Sequence, residues 1–251
     1  MIESILLTTT RVMTYRDRQL LTAASGFFFA SGKRLFLVTN RHVLCDAASL
    51  HQPDRIEIDV HHDPDNLTRH MVLSIMLYRG GKAVWRQAGD GGGDVDVAVI
   101  ELDRARISPA TRYKCFTPTH LQRDLQRVEV GQSVLVVGFP LGFHDTLHHL
   151  PVVRQAIIAS SFGLRFQGQG YFLTDARTHR GTSGAPVVMR RSWSHAHEED
   201  AHDPDDPDDL PWTLLGIHAS RMDMGNRDAR VDELLGLNCA WYADVLLTLT
   251  A

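Results

Sequence analysis

The sequence predicts an all-β protein built as two successive antiparallel barrels. Three observations carry this expectation. Short segments rich in β-branched and aromatic residues recur along both halves of the 251 residues, set apart by Gly, Pro, Asn and Asp turns. No apolar period of 3.6 residues is sustained through the first half. The one stretch that reads as a helix, Ala243–Leu249, comes at the very end.

Taken in order, Ser4–Met13 reads as a first strand and Tyr15–Arg18 as a turn. Gly26–Ala30 and Arg34–Asn40 flank the turn Ser31-Gly32-Lys33 and so form a hairpin. Further strands are expected at Arg55–Val60, His70–Tyr78 and Asp94–Leu102, the last preceded by the glycine-rich loop Gly89–Gly93. Pro109–Arg127 reads as a connector. Strands resume at Ser133–Phe139, Val152–Ser160, Tyr171–Thr174, Ala185–Met189, Leu214–Ser220 and Leu237–Tyr242. The organisation expected is a first barrel over about residues 1–110, a connector over about 111–128 and a second barrel over about 129–251.

Composition is that of an ordinary globular protein, with a formal net charge of −4. That balance favours neither a nucleic-acid partner nor a membrane surface. Eight of the negative charges, Glu198, Glu199, Asp200, Asp203, Asp205, Asp206, Asp208 and Asp209, sit together without Lys or Arg, so the rest of the chain is mildly basic. The tract around them, residues 192–211, is too polar to order itself and reads as a mobile loop. Cys45, Cys115 and Cys239 are odd in number and widely spaced, which suits buried free thiols rather than disulfides or zinc ligands. The amino terminus lacks a signal-peptide pattern and no apolar run is long enough to span a bilayer, so a cytoplasmic location is expected.

Three passages carry chemistry. Ser183 lies between glycines in Gly181-Thr182-Ser183-Gly184, a context that exposes a hydroxyl and aims backbone N–H groups at one point. Alone this is an ordinary turn. Upstream stand His42 in Val38-Thr39-Asn40-Arg41-His42-Val43-Leu44 and Asp96 at the start of the apolar run Asp96-Val97-Ala98-Val99-Ile100. A histidine base, a carboxylate to hold its tautomer and a serine nucleophile can together relay a proton. Their order, His then Asp then Ser, is the chymotrypsin-like one. Asp94 is the rival for the acid.

With these motifs the chain resembles trypsin-like serine peptidases, in particular the HtrA/Deg branch and its bacterial relatives. VTNRHVL is similar to that branch's histidine motif, DVAVIEL to its aspartate strand and FLTDARTHRGTSGAPVV to its serine motif. VVGFPLG is similar to its inter-lobe turn, LLGIHAS to the strand edging its substrate cleft and LNCAWYADVL to its closing strand and helix. The resemblance runs from about Gly26 to Leu246 and leaves no stretch for an appended PDZ domain. It implies two six-stranded antiparallel barrels with the active site in the cleft between them. It also implies His42 as general base, Asp96 as its orienting partner, Ser183 as nucleophile, and the N–H groups of Gly181 and Ser183 as oxyanion hole. The function implied is a serine endopeptidase acting on protein or peptide substrates without cofactor or metal. The alternative is a catalytically weak domain that grips an extended peptide beside Leu215–Ser220 by strand addition.

Thr182 departs from the secreted digestive enzymes, whose aspartate at this place pairs with a newly cut amino terminus. Another device, such as ordering by substrate or a regulatory protein partner, is then expected to set the oxyanion hole. The pocket implied by the resemblance comprises Arg177, Thr178, His218, Ala219 and Ser220. His218 stands where glutamyl endopeptidases carry a histidine, and Thr178 matches the hydroxyl of the same pocket. A histidine and a hydroxyl suit a carboxylate or amide, so cleavage after Glu or Gln is expected. Two histidine groups, His144/Asp145/His148/His149 and His195/His197/His202, read as solvated loops rather than metal sites.

Overall fold

The computed structural model describes residues 2–63, 65–191, 210–219 and 236–251. Most of the acidic tract and Ser220 lie outside these residues. The chain is a mostly β protein of two lobes, as the sequence predicts.

The first lobe holds β1 (Thr9–Arg16), β2 (Gln19–Ser31), β3 (Arg34–Thr39), β4 (Arg55–His61), β5 (His70–Met76), β8 (Trp85–Asp90) and β9 (Gly93–Leu102). They form a seven-stranded, barrel-like antiparallel sheet in the order β5-β4-β1-β2-β3-β9-β8. A two-stranded ribbon, β6 (Tyr78–Arg79) and β7 (Lys82–Ala83), stands beside it. The second lobe is a closed barrel of β10 (Ser133–Gly138), β11 (Val152–Ile158), β12 (Tyr171–Asp175), β15 (Leu237–Tyr242), β14 (Trp212–Ala219) and β13 (Pro186–Arg190), in that order around the ring. Between the lobes the chain makes only short 3-10 turns, at Arg104–Arg106, Pro118–His120 and Leu125–Arg127.

Several elements depart from the sequence pattern, among them β2, which begins at Gln19 rather than Gly26. Ser4–Thr8 is a 3-10 turn rather than the start of a strand. There the Thr8 hydroxyl donates to the Ile5 carbonyl at 2.7 Å, a local bond that competes with pairing. Trp85–Asp90 pairs with β9 although its polar sequence shows no apolar alternation. It is an edge strand, held by its backbone pairing with β9, by the packing of Trp85 and Ala88 and by Arg86.

Three packed clusters fill the molecule. One lies inside the first lobe around Val12, Leu35, Leu37, Ile56, Ile58 and Ile100. Another lies inside the second barrel around Val134, Val136, Phe172, Val187 and Leu215. The largest bridges the lobes, joining Phe27, Phe29 and Phe36 to Leu214, Ile217 and Trp241. The closing helix α2 (Val245–Leu249) buries Leu246 and Leu249 in that same bridge. Arg86 and Arg34 of the first lobe donate to the carbonyl of Ala251 at 2.9 and 3.2 Å. The two lobes are therefore packed against each other through a shared core. No helix among the described residues is long and apolar enough to cross a membrane. Among the described residues Cys45, Cys115 and Cys239 form no disulfide; Cys239 is buried as expected, whereas Cys45 and Cys115 are half-buried.

Candidate active site

His42 sits in the single helical turn α1 (Arg41–Leu44) that follows β3 directly. Its Nδ1 lies 2.7 Å from Asp96 Oδ2, and its own backbone N–H donates to Asp96 Oδ1 at 2.9 Å. A carboxylate only accepts, so Nδ1 carries the ring proton and Nε2 is left as the basic nitrogen. Asp96 is fixed from behind as well, because Asn40 Nδ2 donates to its carbonyl at 2.7 Å. Asp94, two residues earlier on β9, is a different case. Its side chain is 75% exposed and reaches only Arg41, at 3.5 Å. The geometry pairs His42 with Asp96 and not with its rival.

Ser183 lies in the turn that leads into β13 and is 5% exposed. The turn depends on its glycines. Gly184 has φ +85°, and a Cβ there would fall 2.2 Å from the Ser25 carbonyl and 2.4 Å from Thr39 Oγ1. This close approach seats the serine turn on the middle of β2 and the end of β3, the strand that runs into His42. The Ser25 N–H donates to the Ser183 carbonyl at 2.9 Å. Gly181 has φ +93°, and a Cβ there would meet the Phe139 carbonyl at 2.5 Å.

The peptide between Arg180 and Gly181 is held in one orientation. Its carbonyl accepts from the Leu141 N–H at 2.6 Å. The bond is trans, so the Gly181 N–H points away from Leu141. Ser25 holds the next peptide: its hydroxyl donates to the Gly181 carbonyl at 2.8 Å and accepts from the Phe139 N–H at 3.0 Å. Thr182 donates back to the His179 carbonyl at 2.7 Å. These bonds hold the loop through side chains and backbone of the chain itself.

A family model described as "Trypsin-like peptidase domain" matches residues 24–194. The chain belongs to that family. Among solved structures, it is similar to the serine endoprotease from Yersinia pestis at 17% identity and a TM-score of 0.52, over 98% of this chain and 62% of that one. It is also similar to a structure of an HtrA-type protease, AlgW, with a decapeptide, at 16% identity and a TM-score of 0.50, again over 98% of this chain and 62% of the other. This chain thus spans less than two thirds of the length of both, and at these identities the likeness is one of fold. Comparison with curated protein sequences finds no match.

The expected pocket of this trypsin-like domain is less uniform than its triad. His218, on β14, is 0% exposed. Its backbone is bonded to the serine turn on both sides, with its carbonyl accepting from the Gly184 N–H at 2.9 Å and its N–H donating to Ala185 at 2.8 Å. Its imidazole has no hydrogen-bond partner on either nitrogen among the described residues. Burial, with a smaller repulsion from His42, pushes its pKa down to about 3. Thr178 is already engaged, donating to Asn238 Oδ1 at 2.6 Å. Its lone pairs can accept, but its proton is spent. Arg177 is exposed and only its carbonyl is held, by the Arg154 guanidinium. Ala219 is buried beside His218.

Two participants escape sequence reasoning. Ser25 ties together the serine turn, the Gly181 peptide and Phe139, yet it reads as an ordinary strand residue. Asn238 fixes Thr178 and also donates to the carbonyls of Ala176 and Gly236, at 2.7 and 3.1 Å. Only the small residue pair Ser25-Gly26, set before an aromatic run, hinted at a close approach. The histidines of the β10–β11 connection also differ from their reading as one solvated group. His144 and His148 are occupied locally, by the Gly142 carbonyl at 2.6 Å and Asp145 at 2.8 Å, whereas His149 packs against the first lobe. The group His195/His197/His202 lies outside the described residues.

Proposed function

We propose that this chain is a serine endopeptidase that cleaves peptide bonds through an acyl-enzyme, with His42, Asp96 and Ser183 as the triad. The observation that carries this reading is the doubly bonded pair of His42 and Asp96, at 2.7 Å through the ring and 2.9 Å through the backbone. In the first step Ser183 Oγ adds to the substrate carbonyl while its proton passes to His42 Nε2. Asp96 stabilises the imidazolium, and the N–H groups of Gly181 and Ser183 receive the oxyanion. As the tetrahedral adduct collapses, His42 returns the proton to the departing amine. Water then repeats the sequence on the acyl-serine, releasing the carboxyl product and the free hydroxyl.

The pocket reading extends this. A fully buried imidazole without a hydrogen-bond partner is costly unless a ligand completes it. A glutamate or glutamine side chain would accept from the N–H of a neutral His218, which supports cleavage after Glu or Gln. Labelling by a fluorophosphonate tests the triad: the wild-type chain should label, and Ser183→Ala and His42→Ala should not. Peptide-library profiling tests the pocket. Absence of labelling in folded protein would turn the reading toward a peptide-gripping domain, and cleavage after Lys, Arg or small apolar residues would remove the acidic preference alone.

A further inference from the structure

Away from the cleft, β4 and β5 pair with Asp59 opposite Val72 and His61 opposite His70. Side chains alternate along a strand, so Ile56, Ile58 and Val60 face the core while Asp59, His61 and His70 share the outer face. That face is covered by the connection between β10 and β11. The His148 carbonyl lies 2.6 Å from His61 Nε2, and the His149 ring stacks on His70 with 3.5 Å between centroids. Asp59, His70 and His149 each bring a donor atom to within 4.8 Å of one another.

One of the three donors lacks a protein partner among the described residues. His149 Nδ1 is buried and has no hydrogen-bond partner among the described residues. Asp59 places one oxygen on Arg11, at 3.0 Å. Two imidazoles and a carboxylate form the donor set that borderline-soft divalent ions take once side-chain rotation turns their in-plane lone pairs to one point.

We propose that Asp59, His70 and His149 bind a divalent transition-metal ion of the zinc class, and that the ion clamps the β10–β11 connection to the first lobe. Bonds of about 2.0–2.1 Å in tetrahedral geometry set donors about 3.3 Å apart, so side-chain rotations that close the cluster by up to about 1.5 Å complete the site. Water fills the remaining position. Arg11 orients the Asp59 carboxylate, and its charge tempers the affinity toward the micromolar range. The clamp reaches the cleft through the chain. The same connection carries Leu141 and Phe139, whose N–H groups hold the Arg180 carbonyl and Ser25. Fixing His149 thus stiffens the support of the Gly181 peptide. This regulatory half rests on the serine-peptidase reading, whereas binding does not.

The test uses the full chain carrying Ser183→Ala, stripped of metal and titrated with Co²⁺ or Zn²⁺ alone. One equivalent should bind, with the visible absorption of low-coordinate cobalt and a rise in Tm. His70→Gln and His149→Gln should each weaken binding by more than the roughly 100-fold that loss of an outer-shell partner can cost. His42→Ala should leave binding intact, which separates this site from zinc captured by the triad. In active enzyme, zinc should raise kcat in the wild type and not in His149→Gln. Binding that survives both glutamine substitutions, vanishes with His42→Ala, or fails to saturate at millimolar metal overturns the site. Saturable binding without any effect on kcat overturns the clamp. A chain that binds metal at these residues yet never hydrolyses a peptide refutes the peptidase reading and leaves the site standing.

Discussion

His42 and His218 are built in opposite ways. His42 stands at the edge of the cleft with its ring and its backbone both bonded to Asp96. Every polar atom that orients it is supplied by neighbours within its own lobe. His218 lies wholly inside, one strand away from the serine turn, with a bonded backbone and an imidazole that meets no partner among the described residues. The first arrangement is complete without substrate and can be held ready. The second is incomplete and spends stability until something hydrogen-bonds it. A site that binds before it reacts can use both: a preorganised reacting end, and a recognition end that is unsatisfied when empty.

The largest effect should come from the complete end. Ser183→Ala should abolish turnover with Tm nearly unchanged, and Asp96→Asn should lower kcat by about 10⁴-fold, because the imidazole loses its tautomer and counter-charge. Rate measurements on folded protein decide this. A silent Asp96→Asn beside a crippling Asp94→Asn would break the assignment.

Gly181→Ala comes next. At φ +93°, with a Cβ meeting the Phe139 carbonyl at 2.5 Å, alanine must turn the peptide or push the loop off Ser25. Loss of one oxyanion donor predicts a fall in kcat of about 10²–10³-fold, with KM less affected. Steady-state kinetics read both.

The incomplete end should respond with the opposite sign in stability. His218→Leu should raise the unfolding free energy, by about 1–3 kcal/mol where the leucine fills the space, since it removes a buried polar ring without a partner. It should also erase any preference for Glu or Gln in peptide profiling. Acid should sharpen the contrast. The His218 pKa is about 3 in the folded chain and about 6.5 when unfolded, so between these values the unfolded chain binds more protons. Stability contributed by neutral His218 is full above the unfolded value and declines as pH falls, by at most about 1.4 kcal/mol per pH unit. Denaturant unfolding across the acid range should show a shallower decline in His218→Leu than in the wild type. Equal slopes would mean that His218 is hydrogen-bonded in the folded chain.

The smallest effect is expected at Asp94→Asn. Its exposed pairing with Arg41 is screened by solvent, so activity and Tm should stay within a few-fold and a degree or so of wild type, roughly the scale of a surface ion pair.

The sequence by itself determined the strand pattern and marked the residues of the proposed reacting end. Alternation and turn residues placed β3, β4, β9, β10 and β15 within a residue or two, because in half-buried strands the side chains that pack the core are the ones that set the pattern. Gly181 and Gly184 were legible for a similar reason: a positive φ and a close backbone approach leave almost no other residue. What only the tertiary structure decided are the contacts between segments far apart in the chain. Ser25 meets Gly181, 156 residues later, through an ordinary hydroxyl that no local pattern marks. The polar strand β8 exists because β9 offers it an edge. His149 stacks on His70 across the lobes while keeping a looser ring contact with His144. A histidine's role depends on what surrounds it in space, and neither its burial nor its missing partner is written in the residues beside it.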